Sequence, residues 1–231
     1  MAWVAGVDGC RAGWIVVLLQ RTGRTWRHQV TLCPTFANVL ALDPTPAVIA
    51  IDIPIGLLDK PQPGGRECDR QARKLLGCRA SSIFTPPTRP MLKATRYEQV
   101  RTQGLSIQSF NILPKIREVD QLMTPQLQRI VHEAHPELVF MSLAGTPMQY
   151  NKKTREGRNE RVQALEHIFP TIGVVLETNL KMFKRAQVAA DDLLDGYVLA
   201  WTALRIADGQ ANWVSTQTCQ DIKERRLKIW Y

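Results

Sequence analysis

The stretch Val4-Ala5-Gly6-Val7-Asp8-Gly9-Cys10-Arg11-Ala12-Gly13-Trp14-Ile15-Val16-Val17 leaves the chain few choices of fold. Apolar, mostly β-branched residues flank Gly9 and Gly13, which reads as strand, tight turn, strand, with glycines letting the backbone bend sharply. Asp8 stands at the bend and is the only acidic residue among the first 42. A carboxylate closing an apolar strand costs burial energy unless a cation or hydrogen-bond donors meet it. Turn amides alone can meet it, so one Asp-Gly pair is ambiguous.

The pattern recurs. Ala47-Val48-Ile49-Ala50-Ile51-Asp52-Ile53-Pro54-Ile55-Gly56 is a continuous apolar run, as expected of a strand buried on both faces, and it too delivers an acid, Asp52. A third acidic group, Asp191, Asp192 and Asp195, opens an apolar helix expected from about residue 187 to 207. Asp192 and Asp195, three apart, share a helix face. The helix dipole is reason enough for an acid at Asp191, but less so for Asp195, which is followed by Gly196-Tyr197-Val198-Leu199. Were the first and fourth strands neighbours, Asp8 and Asp52 would lie close enough to need a divalent cation or a shared proton.

Between these acids the chain predicts a meander of residues 2–8, 13–20 and 26–32, then a helix over 36–42 capped by Thr35. The whole chain reads as one α/β domain, 1–231, carrying a mainly helical insertion at 61–130. Of the net charge of +9, most sits in that insertion, with twelve basic against five acidic side chains. Such a local excess suits an anionic partner, with Arg70, Arg73, Lys74 and Arg79 placed to grip phosphates, although a solvated surface reads the same way. Val131 to Phe140 is expected as a fifth strand at an edge or bulge because of Pro136, with Glu133, His135 and Glu137 on one face. Lys152-Lys153-Thr154-Arg155-Glu156-Gly157-Arg158 is a basic loop before a helix at about 159–169, either a phosphate contact through Lys152 or a solvated helix entry. A short helix follows at 176–183, and 223–228 reads as a charged tail.

Five cysteines without a close pair suggest reduced thiols and a cytoplasmic protein rather than a disulfide or zinc framework. No secretory signal or membrane-length apolar run is evident. The sequence has no Gly-x-Ser-x-Gly, no P-loop and no metal-type histidine pair.

In combination, Gly6-Val7-Asp8-Gly9-Cys10-Arg11-Ala12-Gly13-Trp14, Ile51-Asp52-Ile53-Pro54-Ile55-Gly56, Arg79-Ala80-Ser81-Ser82-Ile83-Phe84, Glu133-Ala134-His135-Pro136-Glu137 and Asp191-Asp192-Leu193-Leu194-Asp195 resemble the predicted RNase H-like nucleases grouped as domain of unknown function 429. The resemblance implies an α/β fold with a mixed five-stranded sheet in the order 3-2-1-4-5, flanked by helices. It implies a carboxylate cluster holding Mg2+ or Mn2+, with Asp8 bridging the ions, Asp52 on one of them, and Asp192 or Asp195 completing the site. Glu133 and Glu137 are further candidate ligands. The wider superfamily includes Holliday-junction resolvases, and the turn after Asp52, with Pro54 and Gly56, departs from their pattern and resembles a substrate-binding turn for a small molecule.

The expected activity is therefore metal-dependent phosphodiester hydrolysis, with nucleic acid or another phosphorylated molecule as substrate. Two alternatives remain. One is a non-catalytic nucleic-acid or metal-binding module. The other is a kinase-like nucleotide binder, which 231 residues with one Asp-Gly hairpin leave little room for.

Overall fold

The computed structural model describes residues 2–23, 25–215 and 219–231. Strand β1 (Val4–Cys10) and strand β2 (Gly13–Thr22) form an antiparallel hairpin closed by Arg11-Ala12, in a register that sets Asp8 opposite Ile15. Strand β3 (Thr25–Cys33) continues the meander against β2. Thr35 then caps helix α1 (Phe36–Leu40): its hydroxyl accepts from Asn38 N, and the Asn38 side chain accepts from Thr35 N. Strand β4 (Val48–Ile51) lies parallel to β1, and strand β5 (Val131–Glu133) lies parallel to β4. The result is a mixed five-stranded sheet in the order β3-β2-β1-β4-β5.

Period-two alternation divides the sheet residues between two cores. Val4, Ile15, Val17, Leu19, Val48 and Ala50 face one side. There they meet helices α6 (Pro136–Ala144), α7 (Arg155–Glu166), α8 (Ile172–Leu180) and α9 (Ala190–Ala207). Ala5, Val7, Trp14, Val16, Leu18, Ile49 and Ile51 face the other side, against α1 and the insertion.

Gly6 sets how close α9 can come. A Cβ at Gly6 would stand 2.1 Å from both Ala200 N and Gly196 O, so the helix backbone rests directly on the β1 backbone. No other residue type fits there without moving a helix.

The insertion between β4 and β5 carries helices α2 (Glu67–Leu76), α3 (Glu98–Arg101), α4 (Ile107–Asn111) and α5 (Leu113–Leu122). Gly77 ends α2, as the sequence suggests. Much of the insertion's basic excess is engaged internally. Arg66, fully buried, forks between Asp69 and Glu133. Arg70 donates to Gly65 O, Arg73 to Ile83 O and Gly64 O, and Arg117 to Leu92 O and Ala94 O. Long irregular segments leave backbone carbonyls unpaired, and a guanidinium has five donors with which to collect them.

Two expected elements differ. The fifth strand ends at Glu133 rather than Phe140, because Pro136 occupies the first turn of α6, where its missing N–H costs nothing. Glu133, His135 and Glu137 therefore do not share a strand face. The 223–228 segment is not a solvated tail. Arg225 is buried, 2.8 Å from Asp120, which also takes Arg89 and Lys223, and Arg89 reaches on to Asp221. Beyond it, strand β7 (Ile229–Trp230) pairs with strand β6 (Trp213–Val214). The helices expected near 159, 176 and 187 begin a few residues earlier or later, at Arg155, Ile172 and Ala190. All five cysteines are free thiols. Among the described residues, no helix is long and apolar enough to cross a membrane.

Gly6→Ala should destabilise the fold by about 3 kcal/mol or more, since backbone rather than a flexible side chain must give way. Urea unfolding followed by circular dichroism measures it, and an unchanged midpoint would show that α9 is not seated on Gly6.

Candidate active site

Asp8 and Asp52 meet through strand register. Val7 pairs with Ile51, and Asp52 N donates to Val7 O at 3.0 Å, so Asp52 stands one step past the last parallel pair, level with Asp8. Alternation turns both side chains toward the α9 face, with Gly6 and Ala50 one repeat behind them. Asp8 keeps one oxygen on the turn, accepting from Gly9 N at 2.8 Å.

The seating of α9 on Gly6 supplies the third acid. Asp195 directly precedes Gly196, whose carbonyl lies against β1, and it is 1% exposed. Asp192, three residues earlier, accepts from Ala189 N at 2.8 Å and so caps the start of α9. The two acids that the sequence left interchangeable thus have different duties.

Lys152 joins this cluster, its Nζ 2.6 Å from Asp195 Oδ2 and 3.9 Å from Asp191 Oδ2. Gly157 makes its approach possible: a Cβ there would stand 2.0 Å from Asn151 O, so the loop before α7 lies directly on the helix's first turn. Buried Arg161 fixes that turn by donating to Gly157 O, to Tyr150 O and to Glu137 Oε1.

The charges do not balance. Burial first, and then the charges of Asp195 and Asp52, hold the Asp8 carboxyl well above the usual carboxylate range. Burial pushes Asp195 up to about 7, with Asp52 and Glu137 adding to it and Lys152 opposing. Burial would lower Lys152, but Asp195, Asp8 and Asp52 together hold its ammonium above the usual lysine range.

A cleft of about 420 Å³ opens beside the acids, lined by Asp52, Arg79, His135, Glu137, Lys152 and Asp195 among others. Glu137 thus sits at the site, from the first turn of α6, with Arg79 3.7 Å away. Glu133 does not. It pairs with Ile51, on the opposite face from Asp52, and is matched there by Arg66. Among the expected phosphate-binding residues, Arg79 and Lys152 line the cleft. Arg70 and Arg73 hold their own loop, and Lys74 is exposed on α2.

Among the described residues, no three His, Cys, Asp or Glu side chains stand ready to enclose a metal ion. The donor chemistry nevertheless suits a hard divalent cation: buried carboxylate oxygens with uncompensated repulsion. Closing around one requires Lys152 to leave Asp195.

The chain matches the family described as "Protein of unknown function (DUF429)" over residues 6–218. It belongs to that family. No curated protein and no solved structure matches it. The matched span takes in all three acids of the cluster, together with Lys152.

Because Asp8 binds its proton more tightly in the folded chain than unfolded, folding takes up protons between about pH 4 and the native pKa. Its contribution to stability therefore falls as pH rises through that window. Asp8→Asn removes the titration, so the variant should gain in Tm relative to the parent as pH is raised from 5 to 8. A difference in Tm that is flat with pH would place Asp8 outside the cluster.

Proposed function

We propose that this chain is a divalent-cation-dependent phosphodiesterase on a ribonuclease H-like core, acting on nucleic acid. The observation that carries the reading is the convergence of Asp8, Asp52 and Asp195 from two parallel strands and one helix, with Asp52 and Asp195 lining one cleft and Asp8 within reach of the charges of both. Three acids on separate elements with one lysine among them are poor packing, and such arrangements cluster at functional sites. The strand order 3-2-1-4-5, with helices on both faces, agrees with that core.

Asp8, Asp52 and Asp195 would hold Mg2+ or Mn2+, which supplies an activated water and offsets charge on a leaving phosphate oxygen. The chain's own contribution is positioning. The rigid β1–β4 register fixes two carboxylates, and α9 fixes the third. Lys152, which pairs with Asp195 here, would be free to face the substrate phosphate were those acids to hold an ion. Arg79, about a fifth exposed at the cleft wall, would orient the same anion.

Calorimetric titration of Mn2+ into the metal-free protein should show saturable binding that Asp8→Asn abolishes. Lys152→Met should bind the ion more tightly, since no ammonium then competes for Asp195. Labelled single-stranded, duplex, branched and hybrid oligonucleotides should be cut only with the metal, and Asp52→Asn or Asp195→Asn should lower that rate by about a hundredfold or more. Absence of both Mn2+ binding and cleavage would favour the non-catalytic module instead, with the Lys152–Asp195 pair as its permanent closure.

A further inference from the structure

On the other side of Lys152 from the cleft lies a second, larger groove of about 840 Å³. It is lined by Arg11 from the β1–β2 turn, Lys115 from α5, Lys153, Arg155 and Arg158 from the start of α7, and Arg185 from the segment before α9. Four separate parts of the chain thus turn cations toward one channel, and the groove contains only two carboxylates, Asp191 and Asp192. Asp192 is already engaged as the α9 cap, and Lys152 stands near Asp191.

One of these cations, Lys115, belongs to the insertion and donates to Gly13 O; the other five differ from the insertion's cations. Among the described residues, Arg11, Lys153, Arg155, Arg158 and Arg185 form no ion pair. Arg66, Arg70, Arg73, Arg89 and Arg117 hold carboxylates or loop carbonyls of their own fold. Like charges gathered in a concave surface repel one another and raise the local concentration of anions, so an anion of matching length would be drawn to them. Arg155 and Arg158, three apart on α7, present two guanidinia on one helix face, a spacing suited to successive phosphates.

We infer that this groove is the track for the phosphate backbone of a nucleic-acid strand, running past Lys152 to the carboxylate cluster. The inference rests on the phosphodiesterase reading for the strand's destination, and it places the unpaired anion-binding cations outside the 61–130 insertion, which contributes only Lys115 to the groove's charge. A recessed channel that ends at an acid cluster fits a single strand better than a flat anionic membrane. Because Lys152 and Lys153 line both hollows, a strand in the groove delivers one phosphate to the cleft without leaving protein cations. The contacts are to backbone phosphates, so they carry affinity and little base preference.

The test is fluorescence anisotropy with a labelled 20-nucleotide single-stranded DNA, in EDTA, on the Asp8→Asn background so that nothing is cut. Arg155→Glu/Arg158→Glu/Arg185→Glu should weaken binding by about thirtyfold or more and flatten the log–log salt slope by about two, from three lost contacts on a single strand. Lys93→Glu/Arg96→Glu/Arg101→Glu, an equal charge change on exposed insertion residues, should alter affinity less than threefold. Unfolding midpoints of both triple variants within a few degrees of the parent confirm that folded proteins are compared. Equal losses in both variants, or no loss in the groove variant, would overturn the inference. So would groove-dependent binding to phosphatidylserine vesicles without binding to DNA. Groove-dependent binding with no metal-dependent cleavage would leave the track standing and remove the phosphodiesterase reading.

Discussion

The contact between Gly6 and the backbone of α9 decides most of what this molecule can do. A helix lying on a sheet normally stands off by the thickness of its side chains. Here the absence of a side chain at Gly6, and another at Gly196, lets α9 drop onto β1 until backbone meets backbone. That descent brings Asp195 to the level of Asp8 and Asp52 and buries it. The same fit explains the apolar length of α9, whose residues from Leu193 to Ala200 are all buried. Gly157 repeats the device at the other wall of the site, where it admits the loop carrying Lys152. Three missing Cβ atoms thus determine where one carboxylate and one ammonium can stand.

Charge is distributed on a principle the composition does not reveal. The insertion holds most of the net positive charge, yet its arginines stitch together segments that have little regular secondary structure. Lys153, Arg155, Arg158 and Arg185 lie in a region of almost balanced sequence charge and, among the described residues, form no ion pair. Sequence tallies count a guanidinium alike whether it closes a loop or faces solvent. Only its partners distinguish structural from available charge.

What the sequence made legible follows from locality. The meander, the Thr35 cap and the acidic start of the last helix rest on short-range patterns, and each has its counterpart in the structure; the neighbouring of the two Asp-bearing strands came instead with the strand order that the family resemblance implies. Pro136 was harder, because a proline after a strand serves equally as an edge breaker and as the first residue of a helix. The difference moved Glu137 onto a helix and into the cleft, and left Glu133 on the far face of the sheet. Asp192 and Asp195 could not be separated by spacing alone, since both lie on one helix face. The N-terminal amide that Asp192 caps distinguishes them. The engagement of Arg225 with Asp120 spans more than a hundred residues, and nothing in the local pattern of 223–228 points to it.

The site that results is unfavourable on its own terms. Burial and mutual repulsion raise Asp8 and Asp195, and the one ammonium present is shared among several carboxylates. A packed core evolving for stability alone would shed such acids, because apolar groups of similar size fill the same space without the desolvation cost. Their placement at the carboxyl ends of two strands and on one helix, beside a cleft and a cationic groove, fits a site whose electrostatics are completed by what it binds. In the phosphodiesterase proposed above, Lys152 would have two stations, the Asp195 carboxylate it holds here and a substrate phosphate. A lysine on a loop can make that move where an arginine locked in a fork, like Arg66, could not.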